Sequence, residues 1–149
     1  MIAYREWEGA PPAAFAQFWY AMLEECDLLG SGAVSDWESR LTNHFAAEMQ
    51  SGRMRWFVAD AGGEVVGTAA AILQSRSGDI WLDKSAMLAG IYVVPSFRRK
   101  GIARELTQRA IAWCKAQGCA LIKLQASQAG RPLYESLGFT PGTEMLLWT

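Results

Sequence analysis

Leu88-Ala89-Gly90-Ile91-Tyr92-Val93-Val94-Pro95-Ser96-Phe97-Arg98-Arg99-Lys100-Gly101-Ile102-Ala103 is the stretch on which the reading of this chain turns. Its first half is short, apolar and rich in β-branched and aromatic residues, and it stops at Pro95, so it reads as a buried strand. A tight basic loop follows and ends in Gly101. From Ile102 onward the spacing turns helical, with Ala103, Leu106, Ala110, Trp113 and Cys114 on one face. A strand, a glycine-containing loop and a helix start together form an anion cradle. The first N–H groups of a helix lack internal partners, and the positive end of its dipole points at the loop. Gly101 lets a ligand come close to the backbone where a Cβ would intrude. The Walker pattern G-x-x-x-x-G-K-[ST] occurs nowhere, which sets aside that phosphate loop.

The rest of the composition bounds the answer. A chain of 149 residues suits one domain, residues 1–149, and can bury about 70% of its unfolded surface. No apolar run approaches the roughly 20 residues of a membrane span, so no membrane partner is expected. Met1-Ile2-Ala3-Tyr4-Arg5-Glu6 lacks the layout of a secretion signal. The cysteines, Cys26, Cys114 and Cys119, are odd in number and have no metal-ligand spacing. Reduced thiols in the cytoplasm, and no metal, are the expectation. A formal net charge of −1 argues against nucleic acid held on a broad basic face.

Read outward from the central stretch, the chain alternates helices and strands. Ile2 to Trp7 reads as an opening strand. Pro11 and Pro12 suit the first turn of a helix, whose apolar residues Phe15, Phe18, Trp19, Met22, Leu23 and Cys26 recur at helical spacing until Gly30 to Gly32 break it. Ser35 or Asp36 can cap a second helix, with Glu38 completing a capping box with Ser35. Trp37, Leu41, Phe45 and Met49 form its stripe, and Gly52 ends it. Met54–Ala59 and Val65–Leu73 read as strands around the turn Asp60-Ala61-Gly62-Gly63. Ser75 to Asp79 is polar and reads as a loop or hairpin tip, and a loop is expected in the interrupted stretch Ile80 to Leu88. The long helix runs to Gln117 and stops at Gly118. A strand at Leu121 to Ala126, a short helix at Ala129 to Leu137 ended by Gly138, and a closing strand at Met145 to Trp148 complete the order. One mixed α/β domain is the economical reading.

A second motif lies downstream in Leu124-Gln125-Ala126-Ser127-Gln128-Ala129-Gly130-Arg131-Pro132-Leu133-Tyr134-Glu135-Ser136-Leu137-Gly138-Phe139. Arg98-Arg99-Lys100-Gly101-Ile102-Ala103 matches R/Q-x-x-G-x-G/A, and the downstream segment is similar to a strand, a short tyrosine-bearing helix and a closing L-G-F. Together they resemble the GCN5-related N-acetyltransferase family (GNAT), over roughly the last sixty residues; the first half fits by element order. The resemblance implies an α/β (α+β) fold with a mixed, mostly antiparallel sheet, about four flanking helices and strands splayed at the cofactor site. It implies an acetyl-CoA-dependent N-acetyltransferase acting on an amine acceptor. Cofactor contacts fall on Ile91, Tyr92, Val93, Arg98, Arg99, Lys100, Gly101, Ile102, Ala103, Ser127 and Tyr134. The Val93 N–H would polarise the thioester carbonyl, and Tyr134 would protonate the departing thiolate. A thiol of pKa about 8.5 leaves better when a donor of pKa about 10 shares the developing charge. Where many members have an asparagine after the strand, this chain has Ser127-Gln128. Where members often carry an acid that helps deprotonate the amine, it has Gly90, so the general base is unassigned.

Other residues admit plainer readings. His44 fits an exposed position on a helix, and Met22, Met49, Met54, Met87 and Met145 fit core or pocket wall. Gly90 inside a strand signals a bulge or a close backbone approach. Trp19, Glu24, Glu25, Trp37, Trp81 and Asp83 are candidates to receive the acceptor, an aromatic and acidic set that suits a cation. Homodimerisation stays open. A catalytically idle acetyl-CoA sensor is the main alternative, and a nucleotide-binding regulatory domain using the same cradle is a weaker third. Gly101→Val is expected to remove cofactor binding without unfolding the protein.

Overall fold

The computed structural model describes residues 1–74 and 84–149. Its sheet runs in the order β1 (Ile2–Glu6), β2 (Met54–Ala61), β3 (Glu64–Gln74), β4 (Ser85–Val93) and β5 (Leu121–Leu124). The first four strands are antiparallel, and β5 lies parallel to β4. Helices α1 (Ala13–Glu25) and α2 (Trp37–Gln50) cover one face and α3 (Ile102–Ala116) the other, while α4 (Arg131–Ser136) follows β5. This is the mixed, mostly antiparallel sheet with flanking helices that the family resemblance implied.

Alternation along β2 builds both cores. Met54, Trp56 and Val58 face α1 and α2, where Trp56 stacks on Phe15 at 4.4 Å and meets Phe45 edge-on at 5.1 Å. Phe57 and Ala59 point the opposite way, into the core beneath α3. Side chains that alternate faces allow one strand to serve two layers. On α3 the fully covered positions are Ile102, Leu106, Ala110 and Cys114, one residue every four, with Thr107 beside them. Ala103 and Trp113, expected on that face, are only partly covered. The Thr107 hydroxyl donates to the Ala103 carbonyl at 2.7 Å, which satisfies it inside the core.

Several expected boundaries move. Pro11 and Pro12 precede α1 rather than opening its first turn. The helix ends at Glu25, well before Gly30, because Asp27 adopts φ +55° and Leu28 N–H bonds back to the Leu23 carbonyl at 2.9 Å. An aspartate there fills the place usually taken by glycine. The Ser35–Glu38 capping box does not form. Asp36 stands at the N-cap, and its carboxylate accepts from Arg40 at 2.9 Å instead of from α2's own N–H groups. β4 begins at Ser85, inside the stretch read as a loop. That serine is buried, and its hydroxyl donates to the Gln74 carbonyl at 3.3 Å. β5 stops at Leu124 and α4 begins at Arg131, both shorter than expected. The closing strand at Met145–Trp148 is absent: residues 139–149 have no regular structure. Ser75–Asp79, with Trp81 and Asp83, lies outside the described residues.

Candidate active site

The site begins at Gly90. It has φ +59° and interrupts the β3–β4 register, and the buried Thr68 hydroxyl donates to its carbonyl at 2.7 Å. This is the bulge that an interior strand glycine signalled. A Cβ here would stand 3.0 Å from Trp56 Cη2 and 3.1 Å from Trp19 Cε3. Gly90→Ala therefore combines left-handed strain with overpacking and should cost about 2–4 kcal/mol, read by urea denaturation. A variant as stable as wild type would mean that the aromatic cluster yields freely. β5 pairs with β4 only from Ser85 to Leu88, while β4 runs on to Val93. The pairing ends at Leu88 and Leu124, where β5 itself stops, and a cleft lies between Ala89 and Ile91 of β4 and Gln125 and Ser127 of the chain after β5.

Alternation of the antiparallel ladder orients Val93. Val94 N–H donates to the Val66 carbonyl at 2.9 Å, so Val93, opposite Gly67, sits in the non-bonded register. Its N–H and C=O therefore point away from β3. The carbonyl accepts from Arg98 Nε at 2.8 Å. This places the Val93 N–H on the open side of β4, where the sequence reading put an oxyanion donor.

The loop after β4 makes the cradle. Pro95–Phe97 forms a single 3₁₀ turn, which was not expected; Arg98 is extended, Arg99 turns left-handed at φ +61°, and Gly101 at φ +81°. The first bond of α3 runs from Glu105 N–H to the Gly101 carbonyl at 3.1 Å. The N–H groups of Ile102, Ala103 and Arg104 thus have no acceptor within the helix. The Ile102 side chain is core, so only its backbone belongs to the cradle. A Cβ on Gly101 would meet nothing within 4 Å, so the loop leaves open space above the N–H groups. Left-handed geometry at the non-glycine Arg99 costs on the order of 1–3 kcal/mol, which the surroundings must enforce. Arg98, expected among the phosphate-facing residues, instead turns inward. Its guanidinium reaches Glu25 Oε1 at 2.6 Å and lies 5.2 Å from the Tyr92 ring centre. It braces the end of α1 against the end of β4. Lys100 rests over Phe97 at 5.2 Å.

The end of α1 and the start of α4 flank this narrow cleft. Ala89 and Ile91 of β4, Ser127 and Tyr134 border it, together with Glu25 and Cys26. Tyr134 is fixed from several sides. Its ring meets Phe139 edge-on at 6.2 Å, and a Cβ on Gly130 would come within 3.1 Å of Tyr134 Cε2. Ser127 Oγ accepts from the Gly130 N–H at 3.0 Å and so shapes the turn that sets α4. Burial pushes the Tyr134 phenol up to about 12, and the charge that Cys26 acquires in the alkaline range where this phenol titrates acts in the same direction, as does Glu25. The proton is thereby held on the phenol throughout the neutral range.

Of the acceptor candidates, Glu25 alone among the described residues borders the cleft. Trp19 packs on Phe45 and Trp56, and Trp37 on Tyr20 at 4.5 Å. Glu24 and His44 are exposed. Cys26 had been assigned only to the helix's apolar spacing, yet its thiol lies 4.0 Å from the Gln125 carbonyl. A contact across 99 positions of sequence leaves no local signal. Burial raises the Cys26 thiol above its ordinary range, with Glu25 adding, so it is a neutral lining group at pH 7.

A cleft where the β4–β5 pairing ends, an anion cradle at the start of α3 and a buried tyrosine between them define an acyl-CoA-binding transferase fold. Residues 10–139 match the acetyltransferase (GNAT) family, and the chain belongs to it. An aminoglycoside N(6')-acetyltransferase type 1 from Klebsiella aerogenes is 26% identical over 101 residues, covering 68% of this chain and 65% of the relative. One from Acinetobacter genomosp. 13 is 42% identical over 57 residues, covering 36% and 39%. The matches thus span from just under two fifths to just under two thirds of these curated relatives. In fold, the chain is similar to a predicted acetyltransferase from Clostridium acetobutylicum solved with acetyl-CoA. The TM-score is 0.87 at 21% identity, covering 100% of this chain and 96% of that one.

Proposed function

We propose that this protein, as one catalytic domain, transfers the acetyl group of acetyl-CoA to a primary amine that attacks directly, without a covalent enzyme intermediate. The observation that carries this is the buried, protonated Tyr134 bordering a narrow cleft beside β4, a strand whose Val93 N–H points away from β3. The free N–H groups of Ile102, Ala103 and Arg104 would hold the pyrophosphate with the helix dipole behind them. The unpaired side of β4 near Ile91 and Tyr92 would bond the pantetheine arm as an added strand does. As the amine's C–N bond forms, the Val93 N–H would stabilise the negative charge gathering on the thioester oxygen. As the C–S bond breaks, Tyr134 would donate a hydrogen bond to the sulfur. A phenol near 12 holds its proton more tightly than a thiol near 8.5. Tyr134 therefore supports the thiolate by hydrogen bonding more readily than by complete proton transfer, and the proton that the attacking amine nitrogen loses passes to solvent or to the departed coenzyme A thiolate.

Glu25 is the carboxylate at the acceptor's side of this cleft. Its pair with Arg98 is half-exposed and worth no more than about 1 kcal/mol, so an incoming ammonium can compete for it. The relatives' names make an aminoglycoside the first acceptor to test, beside short polyamines and peptides with free N-termini. Free thiol released from acetyl-CoA is the readout. Release with none of them, despite thermal stabilisation by acetyl-CoA, would favour an idle sensor. With a reactive amine in hand, Glu25→Gln should raise KM for that amine about 5–30-fold, as loss of one charged contact does. An unchanged KM would remove Glu25 from the acceptor site. Three unpaired cysteines support placing the enzyme in the reducing cytoplasm.

A further inference from the structure

We propose that Cys26 is a modification site, at which coenzyme A becomes attached through a mixed disulfide when it arrives in its oxidised, disulfide form. The inference rests on the reading of the cleft as the seat of the acetyl-CoA arm. The cradle opens at the start of α3, on one face of the sheet, and α1 covers the other. An arm that runs from the cradle past β4 therefore ends against the last turn of α1. Cys26 stands there as the C-cap of that helix and borders the cleft beside Ala89, Ile91 and Tyr134. The sulfur of coenzyme A is thus delivered to the side of the sheet where this thiol lies.

A second observation points to a ligand sulfur at the same place. Tyr134 borders the cleft and is only 9% exposed, yet its hydroxyl has no hydrogen-bond partner among the described residues. Buried phenols ordinarily have one, and here the occupant of the cleft supplies it. Thiol and phenol are close enough for charge on Cys26 to raise the phenol's pKa. A sulfur that meets the phenol is therefore beside Cys26 as well. The thiol's own polar contact, to the Gln125 carbonyl at 4.0 Å, is long and weak.

The chemistry is a thiol–disulfide exchange. Cys26 gives its proton to solvent, and its thiolate attacks the sulfur held near Tyr134. The S–S bond of coenzyme A disulfide breaks and a Cys26–coenzyme A S–S bond forms. The second coenzyme A departs as a thiolate and takes a proton from water. Burial keeps the Cys26 thiol protonated, which makes it slow toward disulfides that arrive only by collision. A disulfide held in the cleft gains from proximity. Preference for coenzyme A disulfide over other disulfides follows. The modified protein carries coenzyme A in its own cofactor site and so cannot admit acetyl-CoA.

The full chain, incubated without air with coenzyme A disulfide, should gain the mass of one coenzyme A less two hydrogens and lose it again on reduction. Peptide mapping should put the adduct on Cys26. It should spare Cys114, which is fully buried, and Cys119, which precedes β5 at the end away from the cleft. Cys26→Ser should take up none. Uptake should be about tenfold or more faster than with glutathione disulfide, and saturating acetyl-CoA should suppress it. An adduct on Cys119, equal rates with the two disulfides, or uptake at Cys26 indifferent to acetyl-CoA would overturn the proposal. So would the lack of any adduct in protein that acetyl-CoA stabilises against heat, a result that leaves the acetyltransferase reading intact. Failure of that reading has a different mark and takes this inference with it: acetyl-CoA neither stabilises the protein nor releases thiol with any amine.

Discussion

Tyr134→Phe should lower kcat for acetyl transfer by about 10²–10⁴-fold, the usual worth of a positioned proton or hydrogen-bond donor at a leaving group. The substitution keeps the ring, its edge-on contact with Phe139 and its seat above Gly130. Affinity for acetyl-CoA should therefore stay within about threefold of wild type, measured by thermal shift or calorimetry. A ring that served only as packing would give the reverse pattern, a small stability change with normal turnover. The phenol also leaves a signature in stability. Its pKa is about 12 in the fold and 10.0 when unperturbed. Between these values the unfolded chain has already lost the proton that the folded chain keeps, so stability falls as pH rises through this range. Its contribution is whole below pH 10 and gone above 12. Urea denaturation at pH 9 and pH 11 should show a steeper alkaline loss in wild type than in Tyr134→Phe. Equal slopes, or equal turnover with chemistry shown to be rate-limiting, would dismiss Tyr134 as the donor.

Gly101→Val should abolish the thermal stabilisation by acetyl-CoA. A ligand at 100 times its dissociation constant adds about 2.7 kcal/mol, so the loss is easily seen. The variant should stay folded but lose stability. Gly101 stands at φ +81°, and a β-branched residue there costs about 1–3 kcal/mol of strain. The unliganded variant should thus melt several degrees lower. Gly101→Ala, with open space for its Cβ, separates the two effects, since it carries less strain and still obstructs a phosphate. Arg99→Ala should weaken binding by only about 5–30-fold, the worth of one exposed charged contact. Intact binding in Gly101→Val beside lost binding in Arg99→Ala would mean that side chains, not backbone N–H groups, hold the cofactor.

Much of the fold was legible because it is written locally. The strand at Met54–Ala59 and the helical spacing that begins at Ile102 need no distant partner to be recognised, although the covered face of α3 holds Ile102 where Ala103 and Trp113 were expected. Where a distant partner supplied the reason, the reading slipped. Ser85 looked like loop because it is polar, yet a carbonyl on the neighbouring strand satisfies it. Asp27 gave no sign of ending α1, because its left-handed turn is held by backbone bonds that any residue could make. Met145–Trp148 has a strand's composition but forms no strand.

The sequence by itself determined the order of elements, the glycine that the cradle requires and the tyrosine that follows it, because each depends on residues close in the chain. Tertiary structure alone decided what surrounds them. The Gly90 bulge shifts the register of β4 against β3, and the ladder's alternation beyond it points Val93 N–H outward. The Arg98–Glu25 brace joins residues 73 positions apart and draws a residue of the loop out of the cradle. Cys26 and Glu25 meet Tyr134 only because α1 ends over the cleft. Burial, which raises the Tyr134 pKa and keeps its proton in place, is a property of that packing and not of the tyrosine.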